Sequence, residues 1–300
     1  MRRKRRLKTY AALKKDKAVT LNLPISYRQL FKFTYRTNLT LILKISIMLS
    51  LFALPFMSAL FFRGVITTGL ANISSMDDLA KNIMSFQGWY GFVILLGFLI
   101  FSIGIAGSIN VMKKHLKNEG VMFLIDFKDG IRKNTSATLL LSFLYFGLLT
   151  IANYVLNLFY FKSEFPFYAV FLVIFILLST LVYMMWTIAI MIKPLYECSF
   201  MMLLKSSLLL TFAKLPYLVL SLLCSISPLI IVWVIGYVPL LFGTLLFYIV
   251  IGFGNTVLVT VIFNLYIFDE MINKKQFPDR YREGLFAGEQ IHPVDEGFHK

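Results

Sequence analysis

Few residues in this chain combine a reactive type with a telling spacing. Asn153 and Asn157 stand four apart inside an apolar run and so share one helix face. Asn255 and Asn264 lie inside a later run. The four amides are the candidate lining of a polar cavity. The alternative is that each hydrogen-bonds a neighbouring helix and acts as packing glue. Lys44 sits about six residues into an apolar run, where an ammonium either snorkels to the headgroups or acts as an interior charge. Lys128, Arg132 and Lys133 belong to a charged stretch, "DFKDGIRKNTSATLLLSF" (126–143), that runs into an apolar segment with no Gly/Pro-rich linker. These three cations are candidate contacts for anionic lipid or for a partner protein. That is the chemistry of attraction rather than of bond making.

Enzyme constellations are missing from the sequence. It has no GxSxG, no HExxH, no phosphate-binding GxxxxGK[ST] and no paired aspartates within the apolar runs. Cys198 and Cys224 are too few for a disulfide framework. His115, His292 and His299 are scattered, without ligand spacing. The expectation is a protein that is not an enzyme and carries no cofactor and no metal.

The elements that must position these residues follow from composition. The 300 residues are 58% hydrophobic and 16% aromatic, whereas soluble domains sit at about 45–50% apolar. Several runs reach the roughly 20 residues that a helix needs to cross a bilayer. Backbone groups in lipid must be satisfied internally, and no barrel-like alternation is present, so the spans are helices. Six are expected, at roughly 38–62, 89–112, 136–160, 167–192, 215–235 and 240–268. "GYVP" (236–239) marks the turn of the last hairpin. The fold class is all-α and polytopic. A basic segment (1–36) precedes a six-span membrane domain (37–268), and a tail (269–300) follows it. The first apolar run is too long for a secretory signal core, so no cleaved signal is expected.

Orientation follows from Lys and Arg. Residues 1–36 hold twelve, 113–133 six, 193–214 three and 269–300 five. Arg63, Lys81 and Lys162 are the three on the other side. The positive-inside rule then puts both termini in the cytoplasm. The net charge of +15 is thus a topology signal, and nucleic-acid binding is not needed to explain it. "MRRKRR" faces anionic lipid of the inner leaflet on this reading.

The stretch at 126–143 has relatives at 30–45 and 203–222. Phe31-Lys32 corresponds to Phe127-Lys128, Arg36 to Arg132 or Lys133, and Asn38 to Asn134, while Lys205 and Lys214 mark the third copy. A three-fold repeat of one short amphipathic helix plus two spans is one reading. The positive-inside rule alone is the other. In the middle copy Phe123, Leu124, Phe127 and Ile131 share one face, which predicts a separate interfacial helix. "SSMDDLAKNIMSF" (74–86) carries a capping box at Ser75 and Asp78 and predicts a short outer helix on the membrane.

"GIAGSINVMKKHLKNEGVMFLIDFKDGIRKNTSATLLLSF" (104–143) resembles the central segment of the YesL-like family of bacterial integral membrane proteins. Gly104, Lys113, Asp126, Phe127, Lys128, Gly130, Lys133 and Asn134 carry the resemblance. The closing "FDEMINKKQFPDRYREGLF" (268–286) looks like tails of longer members. The resemblance implies a multi-pass protein of the bacterial cell membrane, in genomic company with carbohydrate uptake. It implies no known reaction. The expected function is an accessory component of carbohydrate (solute) uptake that works with ABC-type transporter subunits. A stand-alone carrier or lipid-handling protein is the alternative.

Overall fold

The computed structural model describes residues 24–70, 76–162, 165–196, 198–235 and 238–285, and all regular structure among them is helical. The helices are α1 (Tyr27–Thr37), α2 (Leu39–Leu70), α3 (Met76–Leu116), α4 (Phe123–Lys162), α5 (Phe165–Ile192), α6 (Phe200–Ala213), α7 (Leu215–Ile235), α8 (Val238–Phe247) and α9 (Phe253–Phe268). Five stretches are long and apolar enough to cross a membrane: Leu39–Arg63, Tyr90–Leu116, Phe123–Leu156, Ala169–Ile192 and Gly243–Gln276. α6 and the start of α7 pass the same test only together, bent by 89°, as a broken sixth span or a re-entrant loop. The chain is an all-α polytopic membrane protein. Outward-facing Phe61, Phe92, Ile151 and Leu177 are exposed, as lipid-facing side chains must be.

Small residues set the helix spacing. α2 and α3 run antiparallel, with Gly97 against the Phe56 backbone and Gly104 against Phe52 and Leu49. α3 and α4 do the same, with Gly91 against Thr150 and Gly130 against Asn110 and the Ala106 carbonyl. Ile42, Ile45, Leu49, Met112, Leu141, Ile188, Met191 and Leu258 fill the space between the helices and are fully buried.

Two expected boundaries are corrected. The charged stretch 123–133 is no separate interfacial helix. It forms the first three turns of a continuous α4. Gly130 is seated on α3, and the Phe127 ring lies over Gly107, so the stretch stands upright along α3 instead of turning flat. Residues 76–88 likewise continue unbroken into the second span as the start of α3. Ser75 lies outside the described residues, as do Gly236 and Tyr237 of the expected hairpin turn.

The similar stretches at 30–45 and 203–222 do break. Asn38 (φ −132°, ψ 37°) and Lys214 (φ −128°, ψ 29°) leave helical geometry in almost the same way. Each donates its backbone N–H four residues back, to Thr34 and Leu210. Each short helix begins on a serine cap, Ser26 before α1 and Ser199 before α6.

The last span contains two π-helical turns, Tyr248–Gly252 and Asp269–Asn273. A π-turn shifts the backbone ladder and leaves carbonyls short of partners. In the first turn Ser46 and Ser50 of α2 donate to the carbonyls of Tyr248 (3.0 Å) and Ile249 (3.3 Å). Just beyond it, Gly254 lies so close to α2 that a Cβ would stand 2.2 Å from the Ile42 carbonyl oxygen. Gly147, by contrast, has open space around its missing Cβ.

Gly254→Ala is therefore expected to destabilise the protein by about 1–3 kcal/mol, the usual range for overpacking. Gly147→Ala serves as the neutral control. Thermal unfolding in detergent checks this, and equal melting points for the two variants would contradict the packing account.

Candidate functional site

The bundle has one polar, strongly basic end. It is built from α1, the start of α4, α6, the loops at 117–122 and 193–199, and residues 269–285. At its centre the carboxylate of Asp269 is almost completely buried. Three donors converge on it: the Tyr27 hydroxyl at 2.5 Å, the Asn273 side-chain amide at 2.7 Å and the Arg282 backbone N–H at 2.9 Å. Tyr196 extends the network by donating to Asn273 Oδ1 at 2.6 Å. The π-turn puts Asp269 and Asn273 within reach of each other. Arg282 holds a left-handed backbone (φ 58°), uncommon for an arginine, and this aims its N–H at the carboxylate.

The chain after the last span is clasped at further points. Arg280 donates to the Leu195 carbonyl at 2.8 Å. Lys117 pairs with Glu283 at 2.5 Å, and Asn118 donates to the Gly284 carbonyl at 3.1 Å. Gly284 (φ 91°) sits against the Leu116 carbonyl, where no side chain fits. Residues 269–285 thus pack on the bundle and join the α3–α4 loop, the α5–α6 loop and α1.

A second carboxylate fixes the start of α4. Asp126 pairs with Lys114 at 2.6 Å and accepts the Met122 N–H at 2.7 Å, which also caps the helix. Asn110 donates to the Asp126 carbonyl at 2.8 Å. On the far side of α9, Glu270 pairs with Lys214 and accepts from Tyr266 at 2.6 Å.

These pairings sort the cations. Lys114, Lys117 and Lys214 are taken up inside the assembly. Arg28, Lys32 and Arg36 are exposed at four-residue spacing along α1, and Lys128, Arg132 and Lys133 are exposed on α4. Lys205 is exposed on α6 beside Met201, Met202, Leu209 and Phe212. Among the described residues none of these cations has an ion pair. On α1 and α4 they form outward stripes, and those two helices are tied in by the buried carboxylates Asp269 and Asp126.

Asn153, Asn255 and Asn264 do not meet. Asn153 lines a cavity at the opposite end of the bundle. The side chain of Asn157 lies outside the described residues. Asn255 accepts from the Tyr35 hydroxyl and so ties α1 to α9. Asn264 is buried and donates to the Thr187 carbonyl at 3.4 Å, while its Oδ1 has no partner among the described residues. Asp126, Asp269, Tyr27 and Tyr196 were not singled out as site residues from sequence. An acid set among bases at a span end was the available signal for both aspartates.

Fold and site together define a polytopic helical membrane protein with a braced basic face. No family model, curated protein or solved structure matches the chain.

Burial and the neighbouring Asp269 carboxylate push the Tyr196 phenol up to about 12 from its ordinary 10.0. The same two causes raise the Tyr27 phenol. A raised value means that the folded state holds the proton more tightly. The stabilisation from Tyr196 is then complete below about pH 10 and is lost as pH rises towards 12. Tyr196→Phe should melt at a lower temperature than the parent at pH 8, and the gap should shrink above pH 10. A gap independent of pH would contradict this.

Proposed function

We propose that the protein is a non-enzymatic accessory component of solute uptake, carbohydrate foremost, in a bacterial cell membrane. Both termini lie in the cytoplasm on this reading, because the basic end collects most of the Lys and Arg. The observation that carries the reading is the set of exposed cation stripes on α1 and α4. A charge stripe on a mobile segment attracts without specificity. A stripe on braced helices presents a defined pattern, which favours a complementary acidic partner surface and suppresses wrong ones. ABC-type transporter subunits are the partners proposed, with anionic inner-leaflet lipid filling the rim. The resemblance of residues 104–143 to the YesL-like family supports the same assignment.

α6 fits this role. It turns 89° away from α7 and presents Lys205 beside exposed methionines and Phe212. Methionine-rich faces re-pack readily against partners or acyl chains. The second reading, a stand-alone carrier or lipid-handling protein, draws on a different observation, the cavity that Asn153 lines.

The two readings part on mutagenesis. With Lys128→Glu/Arg132→Glu/Lys133→Glu, co-purifying transporter subunits should fall at least tenfold while the protein stays folded. Asn153→Leu should leave them bound. Loss of solute uptake in Asn153→Leu, with intact co-purification in the charge-reversed protein, would move the assignment to the carrier.

A further inference from the structure

The contacts that clamp the last span to one side of the bundle leave space on the other. Gly254, Ser46 and Ser50 hold α9 and the π-turn before it against α2. α5 is held instead against α4, where the Trp186 indole N–H donates to the Ser142 hydroxyl at 3.0 Å. Among the described residues α5 and α9 share one hydrogen bond, from the Asn264 amide to the Thr187 carbonyl at 3.4 Å. Beside that tie lies a cavity of about 110 Å³, bounded by α5 and α9 and backed by α3 and by Leu49 of α2. Aromatic rings form much of its wall. The Phe98 ring lies 5.6 Å from Trp186, and the Phe101 ring 5.7 Å from Phe253.

The wall selects by what it lacks. No Asp, Glu, Lys, Arg or His lines the cavity. The Thr187 and Thr256 hydroxyls are taken up within their own spans, by the carbonyls of Met184 at 2.8 Å and Gly252 at 3.0 Å. Only the hydroxyls of Tyr183, on α5, and Thr260, on α9, complete the polar part of the wall. A sugar, a peptide or an ion would lose its hydration here without gaining matching partners. An apolar cavity of about 150 Å³ stays dry and takes up benzene. The present one is of similar size, enough for part of an apolar chain. It is also partly open. The two spans that bound it expose Leu177 and Leu178 on α5, and Leu246 and Val250 around the first π-turn. The medium that those faces meet is lipid.

We propose that an acyl chain of a bilayer lipid enters between α5 and α9 and lies against Trp186. The inserted length is uncharged because the wall offers no charge to pair with it. The headgroup stays outside the bundle, so the site reads the chain and not the head. An inserted chain acts as a wedge that keeps α5 apart from α9, two helices whose main contacts are with α4 and with α2. This inference does not rest on the accessory reading, because none of the exposed cations lines the cavity.

Trp186 is buried and lines the cavity, so it reports on the occupant. The chain has three tryptophans, and Trp89→Phe/Trp233→Phe leaves Trp186 as the sole fluorophore. The full chain is reconstituted into phosphatidylcholine vesicles whose acyl chains carry bromine at mid-chain, and into the unbrominated equivalent. Bromine on a chain inside the cavity should remove at least half of the Trp186 emission, while aqueous iodide should leave it unchanged. Val257→Phe and Thr260→Leu, which fill the cavity, should each cut the bromine quenching at least twofold. Leu177→Phe, on the lipid-facing side of α5, should not. Undiminished quenching in the filled variants would mean that bromine reaches the indole from elsewhere, and would overturn the proposal. So would an unquenched parent, and so would quenching by iodide, the mark of a water-filled cavity. Should neither filled variant fold, hexadecane added to the brominated vesicles decides. It should relieve the quenching of Trp186 more than that of tryptophan octyl ester in the same vesicles, and equal relief refutes the site.

Discussion

A carboxylate buried where a helix bundle meets water must find its donors inside the protein. Asp269 draws them from α1, from its own π-turn and from the segment that follows the last span. That demand organises the basic end. It sets α1 against α9, holds Arg282 in a left-handed conformation, and brings the 193–199 loop in through Tyr196 and Asn273. The membrane-spanning helices could pack without it, since their contacts are apolar and glycine-spaced. α1 is short, and Leu30, Phe31 and Tyr35 pack it on the bundle; the Tyr27–Asp269 bond adds a buried polar anchor that fixes which way its exposed cations face.

The Asp126–Lys114 pair plays the parallel part for the middle of the chain. It joins the end of α3 to the start of α4 across a tight loop. Asp126 is buried and Lys114 partly exposed, so the carboxylate depends on this pair and on the Met122 N–H for its partners. Its role here is geometric, since Asp126 also caps α4 and lies one turn before Gly130. The two carboxylates follow one pattern: a fixed buried acid, Asp269 or Asp126, on a helix whose cations are left exposed.

The apolar runs were legible because hydrophobicity is a property of the segment itself. The expected spans at 38–62 and 167–192 match Leu39–Arg63 and Ala169–Ile192 closely. Helix breaks were less legible, because they depend on what the helix rests on. Asn38 and Asn134 occupy matching places in two similar stretches, yet only Asn38 breaks its helix. What differs is the support before Asn134, where Gly130 and Phe127 sit on α3. The Asp269 network was hidden for another reason. Tyr27 and Asp269 are separated by 242 residues, and no local pattern connects them. The amides read as a shared lining were dispersed because residues on different helices share a cavity only when helix rotation allows it. Asn255 and Asn264 turn towards Tyr35 and Thr187 instead.

The central claim is that one buried carboxylate braces the basic face. Hydrogen exchange on the Asp269→Ala protein in lipid nanodiscs tests it most directly. The account predicts that the amides of α1 and of residues 278–285 lose protection together, while those at the start of α4, held by Asp126, keep theirs. Loss confined to the Asp269–Asn273 turn, with α1 and the C-terminal segment still protected, would contradict it.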